Sequence, residues 1–126
     1  MRSMNELNDI TKRIIGCAIE VHKKLGPGLL ESVYEKALCI ELKLAGLRFE
    51  KQKILKIFYK ENEIGEFKID ILVEESVVLE LKSVERHDSI FEAQLLSYMK
   101  LGNYKLGLLI NFKQELLKNG IKRIIL

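Results

Sequence analysis

The sequence predicts an α/β fold in which a mixed central sheet of about five strands is flanked by helices. Two apolar patterns with a helical period occupy the first third of the chain, and three strand-like segments follow in close succession. A third helical pattern then precedes two further apolar strands. The predicted order is therefore α-α-β-β-β-α-β-β, and the helix between strands allows the strand after it to pair in parallel.

Length and composition indicate one globular domain, which we expect to span residues 1–126. Hydrophobic residues make up 48% of the chain and charged residues 31%, which excludes a disordered chain. No apolar run approaches the ~20 residues of a membrane span, and the N-terminus lacks an apolar leader, so we expect a cytoplasmic protein with no membrane partner. The net charge of +3 permits a polyanionic partner without requiring one.

Glycines bound the first two helices. Apolar residues recur at three- and four-residue steps over residues 5–25, which predicts an amphipathic helix. Gly26-Pro27-Gly28 ends it, because glycine tolerates a left-handed cap and proline cannot continue a helix. The second helix starts at residue 29 or 30, runs to about residue 45 and ends at Gly46.

Several side chains of these helices admit a structural interpretation. Cys17 and Cys39 lack metal-binding spacing and are expected to be buried thiols. His22 is expected to be exposed near the end of the first helix, where a cation complements the helix dipole. Glu31 has two interpretations: it complements the positive end of the second helix, or it points with Tyr34 at the strands that follow.

The rest of the chain alternates strands with one helix. Lysines along the first strand predict a solvated, positively charged face, which is either ordinary soluble surface or a contact for phosphates. The segment between the last two strands is predicted to be a loop or a short helical turn. The predicted elements are strands over residues 47–59, 67–73, 77–84, 105–112 and 121–126, and a helix over residues 89–101.

The segment from Phe67 to Val84 is predicted to be a β-hairpin with acid on both strands. If a three-residue loop joins the strands, Asp70 faces Glu80 and Lys68 faces Lys82. Like charges directly opposed destabilise a strand pair unless a cation lies between them, and Mg²⁺ accepts carboxylate oxygens. The alternative is an ordinary solvated sheet face with alternating acid and lysine.

The ordered set of Asp70, Glu80-Leu81-Lys82, Gln94 and Tyr98 resembles the PD-(D/E)XK nuclease superfamily, in its RecB-like and lambda-exonuclease-like branch. The stretch from Gly28 to Tyr34, GLLESVY, is similar to the signature of the small GxxExxY proteins. The resemblance extends over nearly the whole chain, and it implies a restriction-endonuclease-like core.

The resemblance also implies a metal site. Asp70 and Glu80 would hold Mg²⁺ or Mn²⁺ with the carbonyl of Leu81. Glu31 would contribute from the second helix, directly or through another ligand. Lys82 would position the attacking water or help to deprotonate it. In this interpretation, the four catalytic residues are Glu31, Asp70, Glu80 and Lys82.

Other residues are implied in support or in substrate contact. Gln94 and Tyr98 match a QxxxY helix motif of RecB-like nucleases. Two positions depart from the resembled pattern: Phe91 stands where histidine is frequent, and Lys68 stands where arginine is frequent. Lysine keeps the charge but loses the bidentate fork of arginine. The full supporting set is Gly28, Tyr34, Lys68, Gln94 and Tyr98, with Gly28 permitting close backbone approach.

The leading functional prediction is a metal-dependent nuclease that hydrolyses DNA phosphodiester bonds, with nucleic acid as its partner. The alternative is a non-catalytic module on the same fold, which binds nucleic acid or assembles as a homo-oligomer. The apolar final segment IKRIIL could pair at a sheet edge, so a homodimer is also possible.

Overall fold

The elements follow the predicted order. A computed structural model of the protein describes all 126 residues. The first half of the chain forms α1 (Met4–Leu25), α2 (Glu31–Leu44), β1 (Phe49–Tyr59) and β2 (Asn62–Val73). The second half forms β3 (Val77–Lys82), α3 (Ser89–Gly102), β4 (Leu106–Asn111), a short 3₁₀ helix (Leu117–Gly120) and β5 (Ile121–Ile125).

The sheet is mixed, as predicted. Its five strands lie in the order β1-β2-β3-β4-β5, so every strand neighbours its successor in the chain. Strands β3 and β4 are parallel because α3 returns the chain between them. The other three pairs are antiparallel. No helix has the length and apolar character needed to span a membrane.

Helices cover both faces of the sheet unequally. Side chains of α1 and α2 join one face in a core cluster of 21 buried residues, whereas Leu95 and Met99 of α3 join the opposite face in a cluster of six. Gly107 lets α3 approach β4 closely, because a Cβ there would lie 2.7 Å from the Met99 sulfur. The face under α3 therefore has the thinner apolar layer.

Local signals explain the ends of α1. Ser3 accepts a hydrogen bond from the backbone N–H of Glu6, and the Glu6 side chain accepts from the Ser3 N–H, so a capping box starts the helix. Gly26 ends it at a positive φ of 74°. Helix α2 has no such start: its N-cap is Leu30, which makes no side-chain capping hydrogen bond.

The structure corrects three predictions from the sequence. Strand β2 begins at Asn62 rather than at residue 67, because a tight turn with positive φ at Lys60 and Glu61 extends the hairpin. Lys68 pairs with Ile54 of β1, but the β2–β3 ladder ends at Ile71 and contains no pair of Lys68 with Lys82. His22 is buried rather than exposed, and its Nε2 lies 2.7 Å from the Gln114 carbonyl oxygen. Cys17 and Cys39 are buried, as predicted.

Candidate active site

The β2–β3 ladder stops where the two acidic residues begin. The pairs Ile71–Leu79, Leu72–Val78 and Val73–Val77 have the predicted register. The next pair in that register, Asp70 and Glu80, is not part of the ladder. The strands therefore separate at this point.

Side chains replace the missing backbone hydrogen bonds at the separation. The N–H of Leu81 donates to Asp70 Oδ2 at 2.8 Å, and the N–H of Asp70 lies 3.4 Å from Glu80 Oε1, a long and weak hydrogen bond. The structure thus brings Asp70 and Glu80 together, each half-buried and held by the backbone of the opposite strand.

Burial and mutual repulsion perturb this acidic pair. Burial first, and the neighbouring Asp70 charge second, raise the pKa of Glu80 to about 8 despite the nearby ammonium of Lys82. Burial also raises the pKa of Asp70, and the negative charges of Glu35 and Glu31 act in the same direction. Without a bound cation, the pair therefore retains a proton at neutral pH.

The charge of Glu31 is thus close enough to act on Asp70, although Glu31 itself is exposed at the start of α2. Its neighbour Glu35 lies one turn further along the same helix face. No group of three or more histidine, cysteine, aspartate or glutamate side chains has the geometry of a metal site. Glu31 therefore does not form a three-residue cluster of this kind with Asp70 and Glu80.

Sequence reasoning missed Gln52, which connects α2 to the acidic pair. Its amide donates to Glu35 Oε1 at 2.8 Å, and it lies near enough to Asp70 to lower the pKa of that carboxyl group. Its backbone is left-handed, with a φ of 52°, and it makes no ladder pair with Asp70, the residue opposite. Nothing in the local sequence marks this position, since Gln52 reads as one more polar residue among strand lysines.

The distortion at Gln52 and Asp70 inverts the side-chain alternation of β2. Ile71 packs in the core under α1 and α2, whereas Ile69, two residues earlier, packs in the core under α3. In a regular strand both would lie on the same face. Asp70 thus occupies the crossover between faces, within range of charges on α2 and of side chains on α3.

Lys82 lies on the same face as Glu80, two residues further along β3. Its Nζ is 4.4 Å from the centroid of the Phe91 ring on α3, in cation–π geometry. The imidazole of His87 contacts the edge of the same ring, with centroids 6.2 Å apart. The Phe91 ring thus packs against the Lys82 ammonium from the side of α3. Phe91 stands at the position where the resembled family often has histidine.

Tyr98 of α3 also borders the acidic pair. Its ring stacks on Phe67 of β2 with centroids 3.6 Å apart. Burial, then the charges of Glu80 and Asp70, raise the pKa of its phenol. Gln94 is exposed one turn before Tyr98 on the same helix face.

Tyr34 supports the loop between α1 and α2 and is too deeply buried to contact a substrate. It is fully buried and stacks on Phe112 with ring centroids 4.3 Å apart. Its hydroxyl donates to the Gly26 carbonyl and accepts from the Leu29 N–H at 3.1 Å. Of the two interpretations for this residue, support and substrate binding, the structure leaves only support.

The loop that Tyr34 holds lies beside the end of β3. Ser83 Oγ donates to the Leu29 carbonyl at 2.7 Å, which joins the loop to the residue directly after Lys82. Gly28 is exposed, and a Cβ added to it would meet no atom within 4 Å. The packing of the protein therefore does not require glycine at this position. The space beside the Gly28 Cα is open to a ligand.

The donor chemistry of the site fits a hard divalent cation. Asp70 and Glu80 present carboxylate oxygens, and the Leu81 carbonyl lies in the same backbone segment. Mg²⁺ binds through one or two carboxylates and retains several waters, so a third acidic ligand is unnecessary. A cation between the two carboxylates would also relieve the repulsion that raises their pKa values.

A family model agrees with this arrangement. The model of the PD-(D/E)XK nuclease superfamily matches residues 8–124. Nucleases of this superfamily act on nucleic acid and typically use divalent metals, and the five-stranded mixed sheet flanked by three helices is consistent with their restriction-endonuclease-like fold. No curated protein and no solved structure matches the chain. Because the family match covers almost the whole sequence, the chain belongs to the PD-(D/E)XK nuclease superfamily.

Proposed function

We propose that the protein is a divalent-metal-dependent nuclease that hydrolyses DNA phosphodiester bonds. The observation that carries this proposal is the convergence of Asp70 and Glu80 where β2 and β3 separate. Lys82 acts electrostatically on Glu80 from the same strand. Within the superfamily, we assign the chain to the GxxExxY group of the RecB-like branch, on the signature from Gly28 to Tyr34.

Asp70, Glu80 and the carbonyl of Leu81 would hold Mg²⁺ or Mn²⁺, with Glu31 adding negative charge from α2. An ion bound there supplies Lewis-acid activation of water and offsets the charge of the phosphate. Glu80 must release its proton before it can act as a ligand, because only the carboxylate binds a cation strongly. Gln52 would favour the carboxylate form of Asp70, because its nearby amide lowers the pKa of Asp70.

Lys82 would orient the attacking water and offset charge on the phosphate. The Lys82 Nζ lies over the Phe91 ring and on the same face of β3 as Glu80. That position would let the ammonium reach a water or a phosphate at the acidic pair. Phe91 would keep the ammonium near the acidic pair during the reaction.

Substrate contacts would come from the rim of the site. Gln94 and Tyr98 on α3, Lys68 on β2 and the backbone at Gly28 would supply these contacts from separate parts of the fold. We expect these groups to contact phosphates and sugars rather than base edges, so sequence specificity is slight. Binding should then weaken strongly as salt concentration rises.

The test is cleavage of single- and double-stranded DNA and of RNA with Mg²⁺, with Mn²⁺ and with a chelator. We expect metal-dependent cleavage of DNA that Asp70→Asn and Lys82→Ala each reduce at least about 100-fold. Glu66→Gln and Lys118→Ala, at exposed positions, are matched controls and should cleave like the wild type. Circular dichroism should show all four variants folded.

One result would support the non-catalytic alternative. If every nucleic acid remains intact and calorimetry detects no divalent binding, the acidic pair is not a metal site. The protein would then be a binding or assembly module on a nuclease fold.

A further inference from the structure

The outer surface of α2 carries an apolar stripe that the fold leaves uncovered. Leu30, Val33, Ile40 and Leu44 are 73%, 40%, 61% and 77% exposed, respectively. Ala37, between them, is partly buried. These five residues follow one another at steps of three, four, three and four, which is the spacing of a coiled-coil seam. We call them the α2 stripe.

The α2 stripe is separate from the core-facing side of the helix. Tyr34, Leu38 and Leu42 are fully buried against the sheet, so the core already has its apolar contacts from α2. Helix α1 packs beside α2 along another flank, where Arg13 donates to the Ala45 carbonyl. The four large residues of the stripe therefore remain exposed, whereas Ala37 packs partly against the core.

The residue that starts the stripe is also unfavourable for the helix alone. Leu30 occupies the N-cap position, where serine, threonine, aspartate or asparagine would accept a backbone hydrogen bond. Leucine there satisfies no backbone donor of α2 and exposes most of its side chain. Its presence is explained if a partner covers it.

We propose that the α2 stripe is a homodimer interface, in which α2 packs in parallel against α2 of a second copy. The two-fold axis would run along the helices, so the same five residues of each copy meet their counterparts. A seam at these spacings places each apolar side chain among residues of the facing helix. This proposal does not depend on nuclease activity.

Charges beside the α2 stripe favour a second copy in the parallel orientation. Lys36 and Lys43 lie along one edge of the stripe, and Glu41 lies along the other. In a parallel pair, residues five positions apart face each other across the seam, so Lys36 of each copy meets Glu41 of the other. In an antiparallel pair, equivalent edges would meet and lysine would oppose lysine. The stripe is thus electrostatically complementary to itself only in the parallel arrangement.

The final strand is a less suitable interface. Strand β5 is an edge strand, but Lys122 and Arg123 are exposed in its centre, and lysine at an edge opposes strand pairing. The 14 residues of α2 span about 21 Å, so the seam is short. We therefore expect dissociation in the micromolar range rather than a permanent dimer.

Sedimentation velocity of the full chain tests the proposal. Between about 1 and 200 µM, the wild type should shift from monomer to dimer. Ile40→Glu and Leu44→Glu should each raise the dissociation constant at least about 30-fold. Ile64→Glu, at an equally exposed apolar position on the β1–β2 hairpin, is the matched control and should dimerise like the wild type. A monomeric wild type, or dimers that Ile40→Glu and Leu44→Glu leave intact, would overturn the proposal.

Orientation has two tests of its own. Leu44→Cys should form a symmetric disulfide under mild oxidation, because only parallel pairing brings the two copies of this terminal residue together. Lys36→Glu alone should weaken the dimer, and the added change Glu41→Lys should restore it. A dimer without the disulfide, or one that the double reversal does not restore, would refute the parallel arrangement.

Discussion

The two faces of the sheet differ in depth and in chemistry. The face under α1 and α2 joins 21 buried residues in one apolar cluster, whereas the face under α3 joins only six. Glu80 and Lys82 point toward the thin side, and Tyr98 and Phe91 approach them from α3. The site is built where the apolar layer is least complete.

This difference shows how the fold accommodates a strained acidic pair. Two half-buried carboxyl groups that repel each other oppose folding, as their raised pKa values indicate. The deep core on the other face supplies the apolar burial that offsets this repulsion. We therefore expect substitutions on the deep side to change stability most, and substitutions around the acidic pair to act mainly through charge and cation binding.

The largest effect is expected in the deep core. Leu38→Ala removes a fully buried side chain and should lower the free energy of unfolding by about 2–5 kcal/mol. Leu101→Ala, at a 49% exposed position on α3, is the control and should change it by less than about 0.5 kcal/mol. Urea unfolding measures both. Similar losses in the two variants would contradict the contribution of Leu38 to the deep core.

The next effect is a dependence of stability on pH from Glu80. Its pKa is raised to about 8 in the folded state, so between about pH 4.5 and 8 the folded chain binds more protons than the unfolded chain. Stability should therefore fall as pH rises through this window, by a few kcal/mol at most. Urea unfolding with a chelator at several pH values measures the slope.

Glu80→Gln is the control for this slope. Glutamine removes the repulsion and can still accept from the Asp70 N–H, so the variant should show a flatter profile and equal or higher stability at pH 8. If the variant is instead markedly less stable at every pH, Glu80 is a partner in a structural ion pair rather than half of a cation site.

Cation binding should give a smaller stabilisation. Magnesium at ten times its dissociation constant raises the free energy of unfolding by about 1.4 kcal/mol if it binds only the folded chain. The thermal midpoint of the wild type should rise accordingly at pH 8 and less at pH 6, because protons compete for Glu80. Asp70→Asn should abolish the rise. An equal rise in that variant would show that magnesium binds elsewhere.

The smallest predicted effect concerns Gln52. Gln52→Ala removes the amide that donates to Glu35 and that lowers the pKa of Asp70, so the pKa of Asp70 should rise further. Stability should fall by only about 1 kcal/mol, while magnesium should bind more weakly below pH 7. Gln94→Ala, at an exposed position of α3, should leave both measurements unchanged. A loss of stability without any change in magnesium binding would mean that Gln52 only joins α2 to β1.

Most of the fold was predictable because its signals are local. Apolar periodicity predicted all three helices and all five strands, with helix ends within about two residues. The main error was the start of β2, which lies five residues earlier than predicted. The turn before it has Lys60 and Glu61 at positive φ, where glycine or asparagine would have marked the turn. His22 was also missed, because its partner Gln114 lies 92 residues away.

The candidate site was predictable in its two carboxylates and lysine, and the family resemblance added Tyr98, which borders the acidic pair. The register of the apolar pairs placed Asp70 opposite Glu80, and the structure has that register up to the preceding pair. Gln52 and Glu35 were not predictable, because their contacts depend on how α2 packs over β1. Tyr34 belongs to the family signature, but its side chain is buried and holds the loop between α1 and α2 through hydrogen bonds.

The sequence by itself determined the order of elements, the strand register and the acidic residues that meet at the hairpin, because periodicity and short turns act between near neighbours. Only the tertiary structure decided that the ladder ends at Ile71 and that β2 changes face at Asp70. It also left one apolar edge of α2 uncovered. These features depend on the packing of elements distant in the chain, where the burial of charge and the shape of two unequal cores decide the local geometry.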